Sequence, residues 1–231
     1  MQQFCVPFFE IKEEVCGRVG LVNFTGEITP RLLRCIEDLE MILPSLAGLF
    51  VCWDSPGGLT AFAERIELFI LRATQKMPVV SFILRCQSAA LIPACVANLV
   101  FSDGGGLLGS FGFGAFLCDG EQPQYVVCEQ SPGKWTAEGP GYSPRAFWRG
   151  GEEDRLALIG SLNNQYERGL ALLSLYRRVP AERLRAILDG GDFLARTALK
   201  RGLIDAIMTE EEAYQSFLNL VGNGHKQGGK R

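Results

Sequence analysis

The sequence predicts an α/β fold: a parallel sheet flanked by helices, followed by a largely helical C-terminal part. Three observations carry this. Short continuous apolar runs, Leu46–Trp53 (LAGLFVCW) and Pro78–Leu84 (PVVSFIL), read as strands covered on both faces. Amphipathic segments of 3.6-residue period separate them, with connections short enough to pack each helix back onto the sheet. The chain has 231 residues, 47% of them hydrophobic, which is enough to bury a sizeable core without disulfides. With no repeat and no low-complexity linker, a single domain is expected over residues 1–221. Residues 222–231 (GNGHKQGGKR) form a glycine-rich polar tail expected to be unstructured.

Taken in order, Val15–Phe24 is β-rich and ends at Thr25-Gly26. Thr29-Pro30 then reads as an N-cap with proline at the first helical position. That helix carries Leu32, Leu33, Ile36, Leu39 and Leu43 at helical spacing. The Leu46–Trp53 strand stops at Asp54-Ser55-Pro56-Gly57-Gly58, and a second helix places Phe62, Ile66, Phe69, Ile70 and Ala73 on one side. After the Pro78–Leu84 strand, Ser88–Ala97 reads as a short apolar helix and Asn98–Ser102 as a strand. Residues 103–144 are glycine-rich and predict strands and loops. Ser143-Pro144 reads as a helix start, and Leu156, Ile159, Leu162, Tyr166, Leu170 and Leu173 keep a helical period to about Arg177. Shorter helices are expected at Ala181–Leu188, Ala195–Arg201 and Glu210–Leu220.

Composition restricts the chemistry. A formal charge of −3 offers little of the counterion release that drives nucleic-acid binding, so a DNA or RNA partner is not expected. The one histidine, His225, lies in the tail, which disfavours a Ser-His-Asp triad and histidine-based zinc sites. None of the eight cysteines forms a C-x-x-C pair, and most sit in apolar runs, as buried thiols do. No metal and no cofactor is expected. The N-terminus lacks a secretory pattern and no run suits a membrane helix. The expected location is cytoplasmic, with a peripheral position at a membrane as the alternative.

Three places have the residue types that chemistry needs. Gly57-Gly58, directly after a buried strand, let the backbone turn sharply and present N–H groups to a ligand; a plain tight connection has the same signature. Ser88, at a helix start, lies where unpaired N–H groups and the positive end of the helix dipole accumulate. It is either an ordinary N-cap or a nucleophile whose oxyanion meets those donors. Lys134, in Ser131-Pro132-Gly133-Lys134-Trp135, has an aromatic neighbour and a loop able to bring it inward. On the residues alone a surface lysine resting on Trp135 is the favoured alternative, because lysine is rarely buried.

Together, the order D-S-P-G-G, S-A-A-L, G-S-F-G and S-P-G-K-W resembles the signal peptide peptidase A (protease IV) family. These are Ser-Lys peptidases of the Clp protease/crotonase type of fold, built of repeated β-β-α units. The resemblance runs from Val15 to Ile207, and the segment from Asp189 through Ala198 to Gly202-Leu203-Ile204-Asp205 looks like the family's closing motif. It implies Ser88 as nucleophile, Lys134 as general base, Ser110 helping to hold the lysine, and Gly57 or Gly58 with Ala89 forming the oxyanion hole. Leu91 stands where the family carries an aromatic, and the membrane anchor common in the family is not expected here. A lysine serves as base only when neutral, which from an ordinary pKa costs about 4.6 kcal/mol at pH 7 unless burial lowers it. The implied substrates are extended hydrophobic peptides such as signal-peptide remnants. The implied assembly is a homo-oligomer that shares its active site between subunits. The alternatives are a catalytically silent scaffold of the same fold and a crotonase-like acyl-CoA enzyme.

Overall fold

The computed structural model describes residues 9–119, 122–128, 135–136 and 152–228. In chain order the elements are β1 (Phe9–Glu14), β2 (Gly17–Thr25), α1 (Pro30–Ile42), β3 (Gly48–Ser55), α2 (Thr60–Thr74) and β4 (Val79–Gln87). A single 3-10 turn, Ser88–Ala90, leads into α3 (Leu91–Cys95), and β5 (Leu99–Gly109), β6 (Phe113–Asp119), β7 (Gln122–Cys128) and β8 (Trp135–Thr136) follow. The C-terminal part holds α4 (Glu152–Arg177), α5 (Ala181–Arg185), β9 (Asp192–Leu194), α6 (Ala195–Arg201), β10 (Ala206–Ile207) and α7 (Glu210–Gly228).

The main sheet has the order β1-β2-β3-β4-β5-β10 and is parallel from β2 onward. The edge strand β1 is antiparallel to β2, and β9 pairs antiparallel with the far end of β5. Strands β6, β7 and β8 form a separate antiparallel sheet. This is the mixed α/β architecture expected from the alternation of apolar runs and amphipathic helices.

Each face of the main sheet has its own core. On one face Val51, Trp53, Val79 and Ile83 pack with Ile36 and Leu39 of α1, Ile66 and Ile70 of α2, and Leu170 of α4. Trp53 is fully buried, stacks on Phe24 at 4.5 Å between ring centroids, and donates its indole N–H to Ser81 Oγ. On the other face Phe50, Val80, Phe82 and Phe101 meet Ala213, Phe217 and Val221 of α7.

One irregularity changes which residues face which core. Trp53 is opposite Ile83 and Asp54 opposite Arg85, so Leu84 is an extra residue in β4, and the same step is skipped against β5. A bulge reverses the alternation of side chains beyond it. Val80 and Phe82 belong to the α7 side, whereas Cys86 is buried on the opposite side. Leu84 itself is left 41% exposed.

Several expectations are corrected. Strand β1 is absent from the sequence reading because FEIKEE mixes apolar and charged positions; it forms by pairing with β2 through a two-residue turn. Thr29 does occupy the N-cap position before Pro30, but its side chain makes no capping bond. Helix α7 runs to Gly228, beyond the expected Glu210–Leu220. A capping box starts that helix: Thr209 N–H donates to Glu212 Oε2 at 2.8 Å, and Glu212 N–H donates back to Thr209 Oγ1 at 3.3 Å. Ala213, Phe217 and Val221 then anchor it to the sheet, and propagation carries the backbone past Gly222. The expected helix start at Ser143-Pro144 lies outside the described residues. Among the described residues no helix is long and apolar enough to cross a membrane.

Candidate active site

Of the candidate residues, Gly57, Gly58, Ser88, Ala89 and Ser110 gather at the C-terminal edge of the parallel strands, where open α/β sheets bind ligands. Gln87 is paired with Gly109, so Ser88 and Ser110 each stand one residue beyond matched positions of neighbouring strands. Both have left-handed backbones, with φ of +51° for Ser88 and +41° for Ser110. Such a conformation in a residue with a side chain is costly and persists only where the surroundings impose it. Gln87 is extended, and the chain reverses sharply at Ser88 into the 3-10 turn. The N-cap position of the 3-10 turn is Gln87 and that of α3 is Ala90, so Ser88 does not occupy the ordinary N-cap position open to it in the sequence.

Gly57 explains how the chain accommodates this turn. A Cβ on Gly57 would lie 2.7 Å from the Ser88 Cβ and 2.8 Å from the Gln87 carbonyl oxygen, and its φ is +99°. Only glycine fits there. The D-S-P-G-G loop is laced to the segment after β2: Gly26 N–H donates to the Asp54 carbonyl, Ile28 N–H to Gly57 O at 2.7 Å, and Leu59 N–H to Ile28 O. Buried Ser55 completes this lacing by donating to Gly26 O and accepting the Gly57 N–H at 3.2 Å. The Gly57 N–H is therefore engaged. Those of Gly58 and Ala89 bond no acceptor among the described residues, as suits donors kept for a ligand.

Asp192 joins the site from β9. Its Oδ1 accepts from Ser110 Oγ at 2.7 Å and its Oδ2 from Gln87 Nε2 at 2.8 Å. Ser110 N–H donates to Gly191 O, and a Cβ on Gly109 would lie 2.4 Å from that same oxygen. The closing segment thus clamps the residues that follow β4 and β5. The closing-motif resemblance covers Asp192 but gives it no role, since its bonds span 82 and 105 residues.

A narrow pocket opens beside Ser88 and Ala89, walled by Ala63, Ile92, Phe111, Phe113 and Leu172. Its polar lining includes Glu64, Glu67, Gln165 and Arg168. Glu67 is only 7% exposed and accepts a short hydrogen bond from Tyr176 Oη. Burial pushes its carboxyl above the usual range, against the opposing effect of that hydrogen bond. Glu67 sits on the Ala63, Ile66, Ile70 stripe of α2, and a carboxylate on such an apolar stripe is the signal that could have found it. Lys134 lies outside the described residues; the residue after it, Trp135, pairs with Cys128, which pairs in turn with Phe113 of the pocket wall.

No known protein-family profile matches the chain. A protein of Synechocystis sp. (strain ATCC 27184 / PCC 6803 / Kazusa), named "Putative protease slr0021", is 25% identical over 212 residues, covering 90% of this chain and 73% of that protein. Among solved structures, a 1510-N membrane-bound stomatin-specific protease, in a serine-to-alanine variant, superposes with a TM-score of 0.52 at 15% identity. The match covers 84% of this chain and 82% of that one and shows a shared fold. The sequence relationship supports a protease-like function, and the structural match shows the fold alone.

Proposed function

We propose that this chain is a serine endopeptidase of the signal peptide peptidase A type, with Ser88 as nucleophile and Lys134 as general base. The observation that carries this reading is the left-handed turn at Ser88, held against Gly57, with the N–H groups of Gly58 and Ala89 bonding no acceptor among the described residues. As Ser88 Oγ attacks the peptide carbonyl carbon, its proton passes to neutral Lys134 Nζ. The oxyanion is met by Gly58 and Ala89. Collapse of the tetrahedral intermediate breaks the C–N bond, and the leaving amine takes the proton back from the ammonium. Lys134 then deprotonates a water that attacks the acyl-enzyme, and Ser88 leaves with that proton. Ser110 holds the lysine, and Asp192 orients Ser110. The sequence resemblance supports the lysine's role and extended hydrophobic peptides as substrates.

The deciding experiment is labelling with a fluorophosphonate probe. Wild type reacts at Ser88, while Ser88→Ala and Lys134→Ala do not. Labelling elsewhere, or none, overturns the reading and leaves a silent scaffold of this fold.

The dyad closes between copies of a homo-oligomer in this proposal, on the strength of the same resemblance. Co-refolding Ser88→Ala with Lys134→Ala restores part of the activity if so. No recovery in mixtures shown by mass to be mixed oligomers places both groups in one chain.

A further inference from the structure

The pocket beside Ser88 has a polar inner lining that hydrolysis itself does not use. Its walls are apolar, but α2 turns Glu67 into it from a position 7% exposed. One carboxyl oxygen of Glu67 accepts from Tyr176 Oη; among the described residues no cation bonds either oxygen, and Arg168 acts on the carboxyl only through space. Glu64 and Arg168, by contrast, are half or more exposed and form only a loose 3.9 Å pair. The three charged groups of this lining sum to one negative charge, and the least solvated of them has a neutral partner.

We propose that this pocket is a side-chain subsite for lysine or arginine of an extended peptide, with the aliphatic stem on Ile92, Phe111 and Phe113 and the cationic tip on Glu67. The inference rests on the peptidase reading and adds its specificity. A buried carboxyl whose charged form is penalised by desolvation gains most from a cation brought in with the substrate. A charge-assisted bond to such a group discriminates more strongly than apolar contact, because a substrate lacking the donor leaves the carboxyl unpaired. An acidic side chain is repelled by the same net charge.

The test uses the full chain and a set of fluorogenic peptides identical except for lysine, norleucine or glutamate on the acyl side of the cleaved bond. Norleucine matches the lysine stem without its charge. The lysine peptide is expected to exceed the norleucine peptide in kcat/KM by tenfold or more, with the glutamate peptide lowest. In Glu67→Gln the lysine-to-norleucine ratio falls to near one. Tyr176→Phe, which keeps the carboxyl and removes its internal donor, retains or widens the ratio; loss of preference in this variant overturns the proposal. Preference for norleucine, or a ratio unmoved by Glu67→Gln, also overturns it, and preference for glutamate would assign charge reading to Arg168 instead. Fluorophosphonate labelling of Ser88 together with any of these contrary results sinks the subsite alone. Absence of labelling and of Ser88-dependent cleavage sinks the peptidase reading and the subsite with it.

Discussion

Asp192 Oδ1 accepts a 2.7 Å hydrogen bond from Ser110 Oγ, linking β9 to the residue that follows β5. The same carboxylate holds the Gln87 side chain immediately before Ser88. A lysine held by Ser110 would therefore share its neighbourhood with a carboxylate, which favours the charged amine and opposes its role as base.

That conflict makes Asp192→Asn informative. Removing the negative charge lowers the lysine pKa, so more of it is neutral at a given pH. The rising limb of the kcat/KM profile is expected to move to lower pH by up to about one unit, equivalent to roughly 1.4 kcal/mol. A lower rate with an unmoved limb would show that Asp192 only aligns Ser110 and Gln87.

Ser88→Ala is expected to abolish hydrolysis with little change in stability, because the N-cap position of this turn belongs to Gln87 and not to Ser88. Ser88→Gly is expected to be equally inactive yet more stable, because glycine adopts a φ of +51° without strain. The gain is about 1 kcal/mol, or roughly 2–4 °C in Tm for a chain of this size. Thermal unfolding of the pair checks it; a Ser88→Gly protein less stable than wild type would remove strain from the account of this turn.

The two loop glycines should fail differently. Gly57→Ala drives a methyl against Ser88 Cβ and the Gln87 carbonyl, so displacement of the nucleophile is expected to cost about a hundredfold in kcat/KM. Gly58→Ala instead meets Ile28 backbone, with its oxygen at 2.4 Å and nitrogen at 2.7 Å, and should chiefly lose stability, by roughly 1–3 kcal/mol. Kinetics and denaturant unfolding on both variants separate the effects.

Cys86 and Cys95 are fully buried, and burial pushes the Cys95 thiol up to about 12 and Cys86 above its ordinary value. The thiolate is the reactive form, so a raised value means less of it at any pH below that value. At pH 8 iodoacetamide is expected to modify half-exposed Cys16 in the native protein while these two resist until unfolding. Peptide mapping after timed alkylation reads this directly; early modification of Cys86 would mean that the strand leading to Ser88 opens readily.

Local pattern determined a large part of this protein. Apolar runs marked β3 and β4, and helical spacing marked α2 and the long stretch ending at Arg177. Helix α6 was legible to its ends because Gly202 adopts the left-handed C-terminal conformation that stops it. Ser88 and the Gly57-Gly58 turn stood out because both follow apolar strands. What these groups face was decided only by the tertiary structure. The bulge at Leu84 turns Cys86 to the opposite face from Phe82, and a bulge is a property of strand pairing, invisible to a period-two pattern. The left-handed turn at Ser88 depends on Gly57 pressing against it, and Asp192 reaches Ser110 and Gln87 only because β9 folds back onto β5. Periodicity records which side of an element is apolar, whereas these contacts join segments far apart in the chain, and only chain closure brings them within hydrogen-bonding distance.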